Sequence, residues 1–140
     1  INIPFPSGYG DREYRVCVKE IIEKIMWQYM PQFFLIGFGT NMLNEDPGSH
    51  LRLTETGLLQ TLQLFTEMAN RICDGRLLAV LEGGTPGQLM GRSVAQYINL
   101  LLNKLEISAD KVSKDELISY ADWYGYAKLL KAQFKKFWRL

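Results

Sequence analysis

The chain has 140 residues, 47% of them hydrophobic and 22% charged, with a net charge of +1. That length bounds it to one domain, and the balance is that of an ordinary globular protein. The near-neutral charge excludes a strong field that would gather nucleic acid or anionic lipid, and no apolar run is long enough to cross a bilayer.

The start, Ile1-Asn2-Ile3-Pro4, lacks the basic and apolar regions of a signal peptide. Cys17 and Cys73 fall in predicted helices and suggest no disulfide framework, so the expected setting is intracellular, cytoplasmic or nuclear.

Residues 1–10 read as the tail of a strand followed by a loop rich in turn formers, Pro4, Pro6, Ser7, Gly8 and Gly10. Asp11 is placed to cap a helix through about Tyr29. Tyr14, Val18, Ile21, Ile22, Ile25, Met26 and Tyr29 make its apolar stripe, and Pro31 ends it. Phe33 to Gly39 is apolar without alternation, the pattern of a strand buried on both faces. A long polar loop runs from Thr40 to about Leu53. A helix opens at Thr54 and runs to about Ile72, with Leu58, Leu62, Phe65, Ala69 and Ile72 on its buried side and Gly75 as its stop.

Leu77 to Leu81 is a second unbroken apolar strand. Gly83 and Gly84 follow, then Thr85-Pro86, a good N-cap and first helical residue. In open α/β sheets ligands sit at the carboxyl ends of such strands, so Gly83, Gly84 and Thr85 are candidate lining of a site. The next helix runs to about Leu105, with Leu89, Val94, Ile98, Leu101 and Leu105 on one side. Ser113 and Glu116 have capping-box spacing and open a helical tail over residues 110–140, which Gly125 is placed to break. Its aromatics, Trp123, Tyr124, Tyr126, Phe134, Phe137 and Trp138, form a candidate contact surface, the alternative being packing onto the chain's own sheet.

Strands alternating with helices indicate an α/β fold with a parallel sheet and helices on its faces. Two strands are too few to cover this much apolar helix, since a sheet usually has about four to six. The chain is therefore expected to be about half of a doubly wound domain, residues 1–140 being one unit whose other half comes from another chain, a swapped copy of itself or a missing stretch of the same gene.

Several pieces resemble the C-terminal half of the histone deacetylase domain. Asn2-Ile3-Pro4-Phe5-Pro6 with Gly8, Gly10, Asp11 and Tyr14 is similar to its loop and helix start. Gly39-Thr40-Asn41 ahead of Asp46-Pro47, Leu51-Arg52-Leu53-Thr54 before Gly57, Gly75-Arg76 through Leu81-Glu82-Gly83-Gly84, and Phe134 to Trp138 follow in the family's order. The resemblance implies a partial three-layer α/β/α, arginase/deacetylase-like fold. It also implies zinc-dependent amide hydrolysis, with zinc on two aspartates and a histidine, a histidine pair handling protons and a tyrosine bonding the oxyanion.

Carried over residue by residue, the family's second zinc aspartate falls on Asn41, counting back from Asp46-Pro47; the other register puts Gly39 there. The oxyanion tyrosine falls on Thr85. Gly83, Gly84, Asp46 and Pro47 match the substrate pocket. The remaining ligands and the histidine pair belong to the other half, and His50 matches none of them. The expectation is a domain without catalytic residues that serves binding or assembly, with no cofactor of its own. Two alternatives stand beside it: half of a zinc deacetylase completed by a second chain, or another activity on a shared scaffold, with an anion at the Thr85 helix start. The expected partner is a second copy or a complementary chain, not nucleic acid or membrane. Glu45, Asp46 and His50 are the one loop cluster with metal-ligand chemistry, and ordinary solvation is the expectation for it.

Overall fold

The computed structural model describes residues 1–84, 87–105, 107 and 121–140, with only the backbone of residues 121 and 122. The Thr85-Pro86 cap, the Ser113–Glu116 box and the first part of the tail lie outside the described residues.

A single helical rod opens the fold. It comprises α1 (Asp11–Cys17), a π-helical turn (Val18–Ile22) and α2 (Glu23–Tyr29). Gly10, not Asp11, is its N-cap, and the Glu13 carboxylate reaches back to accept from the Gly10 amide at 2.9 Å. Met30 closes the rod in the left-handed conformation, and Pro31 follows. No strand precedes the rod; Gly10 instead makes one parallel bridge to Arg52.

Strand β1 (Phe34–Phe38) pairs in parallel with β2 (Leu77–Leu81), Phe34 opposite Leu77 and Phe38 opposite Leu81. Between them runs α3 (Glu55–Cys73), capped by the Thr54 hydroxyl, which accepts from the Gly57 amide at 3.1 Å. Asp74 and Gly75 both have positive φ and stop α3. After β2 comes α4 (Gly87–Leu101), and the described chain ends with α5 (Ala121–Phe134) and a short turn. Gly125 does not break α5.

Side chains alternate along a strand. Phe34 and Phe38 therefore face α3 and α4, joining cores with Leu62, Leu64, Met68, Tyr97 and Leu100. Leu35 and Leu78 point the other way and are 68% and 52% exposed. The unbroken apolar runs suggested cover on both faces; among the described residues only one face is covered. The other face explains why the sequence does not alternate: it is as apolar as a buried face.

The α4 stripe is displaced from the expected one. Leu89, Ser93, Tyr97 and Leu100 are buried, while Ile98 and Leu101 are exposed. Those two line a cavity together with Thr66, Glu67 and Asn70 of α3. The loop after β1 is tied down by a bridge between Leu43 and Leu53 and by the Gly8 amide on the His50 carbonyl at 2.8 Å.

Helix α5 packs on the α1–α2 rod rather than on the sheet. Trp123, Ala127, Leu130 and Phe134 meet Val16, Cys17, Ile21 and Ile25. Tyr126 donates to the Pro4 carbonyl, Lys131 pairs with Glu20, and Gln28 bonds the backbone of Arg139. The aromatic tail is thus largely internal to the fold, and only Tyr124 and Phe137 stand well out from it. Both cysteines are free and buried, and burial pushes the Cys17 thiol up to about 12.

Candidate functional site

The two parallel strands end side by side, and their ends define the place where an α/β sheet of this kind carries its chemistry. The Glu82 amide donates to the Phe38 carbonyl at 2.7 Å, and the Thr40 amide donates to the Gly83 carbonyl at 3.1 Å. The strand ends therefore stay bonded one residue past the sheet. Gly39, Thr40, Gly83 and Gly84 form the resulting ledge.

Glycine permits this contact. A Cβ on Gly39 would lie 2.6 Å from the Gly83 carbonyl oxygen, and one on Gly84 would lie 2.8 Å from the Thr40 amide nitrogen and inside contact with its hydroxyl. Gly83 and Gly84 also have φ of 105° and 136°, a region L-residues rarely occupy. Thr40 is fully buried under the ledge, and its hydroxyl has no hydrogen-bond partner.

The start of α3 is tied to α4 and to the rod. Glu55, in the first turn of α3, accepts from Arg92 at 2.7 Å and from the buried Ser93 hydroxyl at 3.0 Å. Asp11 bonds the Thr54 amide and hydroxyl, both at 2.7 Å, and so joins the rod to the start of α3.

The sequence-matched residues do not all come together. Gly83 and Gly84 sit on the ledge, as their position after β2 requires. Asn41 is exposed on the loop beside it, its carboxamide oxygen 3.1 Å from where a Cβ on Gly39 would be. Gly39 is the first residue past β1, so it, and not Asn41, occupies the strand end itself. Asp46 is buried, and its carboxylate accepts from the Gly48 amide at 2.9 Å, a turn contact within the loop; Pro47 is exposed. Thr85 lies outside the described residues.

Sequence reasoning missed Thr40. A threonine after a strand carries no signal, and only the fold over Gly84 buries it. A zinc ion favours thiolate, imidazole and carboxylate donors. The ledge offers a buried hydroxyl, an exposed carboxamide and backbone groups, so the residues present do not fit a zinc ion by themselves. Among the described residues no three His, Cys, Asp or Glu side chains are grouped to hold a metal, Glu45, Asp46 and His50 included. Among the same residues no helix is long and apolar enough to cross a membrane.

Two parallel strands with an α-helix between them and a glycine ledge at their carboxyl ends define part of an α/β domain. Its family follows from comparison. The chain belongs to the histone deacetylase domain family, whose profile matches residues 1–101. It is 43% identical over 84 residues to a probable deacetylase of Archaeoglobus fulgidus, covering 60% of this chain and 23% of that protein. It is 27% identical over 110 residues to the chloroplastic histone deacetylase 14 of Arabidopsis thaliana, covering 79% of this chain and 26% of that one.

Among solved structures, the HDA15 HD domain superposes with a TM-score of 0.72 at 25% identity, over 99% of this chain and 35% of that one. The histone deacetylase Clr3 superposes with a TM-score of 0.81 at 18% identity, over 99% and 22%; that likeness is one of fold. The chain thus spans about a quarter of the length of the curated relatives it matches and has a partial arginase/deacetylase-type α/β fold. Family membership removes the reading in which the likeness stops at shared architecture.

Proposed function

We propose that this chain is a histone-deacetylase-like module without chemistry of its own, acting in binding or assembly. The observation that supports this most is the ledge. Both candidate positions for a zinc aspartate, Gly39 and Asn41, carry no carboxylate, and Gly39 is pressed against the Gly83 carbonyl where a side chain would need room. A neutral carboxamide brings no charge to a divalent cation, so two ways of aligning the chain lead to the same loss. Threonine in place of the oxyanion tyrosine points the same way, because its hydroxyl is too short to reach the same place.

The test is metal content and hydrolysis. The purified chain, equilibrated with zinc and desalted, is expected to hold well under one equivalent and to leave an acetyl-lysine peptide uncleaved. One tightly held equivalent of zinc that is lost in Asn41→Ala refutes the reading.

A second reading has its own support. The chain spans about a quarter of relatives named deacetylases, and among the described residues one sheet face is uncovered. It would then be one part of a zinc-dependent deacetylase, with a complementary chain bringing the metal ligands and proton carriers. Amide hydrolysis by the reconstituted pair favours this second reading; a stable but inactive pair favours the first. In both, the partner is a protein, either a second copy or a complementary chain. The setting is intracellular, without direct contact to nucleic acid or membrane.

A further inference from the structure

Three helical elements finish at the end of the fold opposite the ledge. Asp11 bonds Thr54 near the starts of the rod and α3, and Arg71 pairs with Glu23 near the end of α3. Tyr126 reaches Pro4 and Lys131 reaches Glu20, so α5 runs the same way. The last residues of the rod, α3 and α5 therefore lie together, beside the first residues of β1 and β2.

Contacts tie them into one surface. Arg71 lies over the Trp27 ring, 5.7 Å from its centroid. Tyr29 meets Trp138 edge-on, with 6.4 Å between ring centroids. Gln28 is bonded in both directions to the backbone of Arg139, and the Arg76 Nε donates to the Gln32 carbonyl at 2.8 Å.

This surface is apolar and cationic at once. Trp27, Tyr29 and Met30 are 43%, 66% and 53% exposed. Met30 is held at φ 51°, where a helix end ordinarily takes glycine. Phe33 is exposed too, but by alternation it belongs to the sheet face of Leu35 and is left out of this surface. The segments that meet here, 23–33, 71–76 and 135–140, carry six basic side chains and two acidic ones, in a chain of net charge +1. Both acids are paired, Glu23 with Arg71 and Lys19, and Asp74 with Arg76. Lys24, Lys135, Lys136 and Arg139 form no ion pair among the described residues. Helix carbonyl ends attract cations, which accounts for basic residues at this end. It does not account for bare aromatic side chains among them.

We infer that this helix-end surface docks an acidic segment of a partner protein, with an apolar side chain of that segment set against Tyr29 and Met30. The inference rests on the binding reading above and names the chemistry of what is bound. Charge selects the occupant: a second copy paired face to face would bring the same cations, and like charges across an interface repel. Trp, Tyr, Met and Arg are side chains enriched where proteins bind proteins. The two arginines are also held in place, Arg71 by Glu23 and Arg76 by Asp74 and the Gln32 carbonyl. A fixed guanidinium keeps its remaining N–H donors aimed for a carboxylate.

The test uses the intact chain. The probe is a dye-labelled peptide rich in aspartate and glutamate with a leucine pair at its centre. Its amide counterpart, with asparagine and glutamine in place of the acids, and phosphatidylserine vesicles are run beside it. Fluorescence anisotropy is expected to show the acidic peptide bound, less tightly as salt rises, and its counterpart free. Tyr29→Ser is expected to weaken binding by about 10-fold or more. Lys24→Glu is expected to weaken it and to flatten its salt dependence. Met30→Gly removes the side chain and relieves its backbone, so binding should weaken while the melting temperature holds or rises. That variant decides the matter if Tyr29→Ser misfolds. Tyr124→Ser, at the other end of α5, is expected to leave binding unchanged.

The inference is overturned if the acidic peptide does not bind, if its amide counterpart binds as well, or if binding ignores all three variants. Capture by the vesicles without peptide binding assigns the surface to a membrane and overturns it too. Zinc content and hydrolysis are read separately. A chain that cleaves acetyl-lysine yet binds the peptide through Tyr29 refutes the non-catalytic reading and leaves this surface standing. An inert chain that ignores the peptide refutes this inference and leaves that reading in place.

Discussion

Replacing Gly84 by alanine probes the ledge directly, because two separate penalties meet at that residue. Its φ of 136° costs an L-residue about 1–3 kcal/mol. The new methyl would also lie 2.8 Å from the Thr40 amide nitrogen, 2.9 Å from its Cβ and closer still to its hydroxyl. Thr40 is fully buried and its amide is bonded to Gly83, so it has little room to retreat. Forced overpacking of that kind costs about another 1–3 kcal/mol.

The sum, near 4 kcal/mol, is a large part of the roughly 5–15 kcal/mol a domain possesses. At about 2–4 °C per kcal/mol the melting temperature should fall by roughly 8–16 °C. Gly83 serves as the internal control. Its φ is also positive, but a Cβ there would meet nothing within 4 Å. Gly83→Ala should therefore pay the backbone cost alone, about 1–3 kcal/mol. Urea unfolding of both variants measures the difference. If Gly84→Ala is no more destabilising than Gly83→Ala, the strand ends are not in contact and the ledge described above is wrong.

Three further outcomes are expected. Thr40→Val removes a buried hydroxyl that has no partner, so it should leave stability unchanged or raise it by about 1 kcal/mol in denaturant unfolding; a loss above that size would mean the hydroxyl is satisfied. Asp11→Ala deletes two charge-assisted bonds to Thr54 and should cost about 2–3 kcal/mol, with Thr54→Ala non-additive to it in a double-mutant cycle. Glu23 governs part of the acid limb. Burial works to raise its carboxyl, but Arg71 at 2.7 Å and Lys19 at 3.3 Å outweigh that and hold it below the usual range. A lowered carboxyl stabilises the fold fully above the unfolded range, about pH 4.3, and loses that stabilisation as pH falls through the folded value. Glu23→Gln should therefore flatten the stability profile below about pH 5 and leave its shape at neutral pH alone; an unchanged acid slope would contradict the pairing.

Much of the architecture is legible in the chain itself. Apolar spacing located α3 to within a residue at each end, and β2 to the residue, because local hydrogen bonding and side-chain periodicity depend on neighbours in sequence. Gly83 and Gly84 were legible for the same reason: a pair of glycines after a buried strand implies a backbone that must come close to something. The shortage of strands was legible as well, since a count of apolar stripes against sheet needs no coordinates.

Other features depend on residues far apart in the chain, and no local pattern reports them. Which side of α4 is buried was misjudged by about one position, because α3 and Glu55 decide it through Ser93 and Arg92. The aromatic tail could face a partner, the sheet or the rod. The rod takes it, since Val16, Cys17, Ile21 and Ile25 offer an apolar side that the tail covers together with Ile3, Phe5 and Tyr9. Asp11 looked like a cap for its own helix and instead binds Thr54, forty-three residues on. Thr40 became a buried orphan only when Gly84 closed over it.

Sequence alone determined the main helices, the two strands and the likeness to the family, which rest on short-range patterning and motif order. Tertiary structure alone decided that the ends of β1 and β2 close on each other, that among the described residues one sheet face stays uncovered, and that α5 turns inward. Those outcomes arise from competition among surfaces for burial, and a surface exists only once the chain has folded.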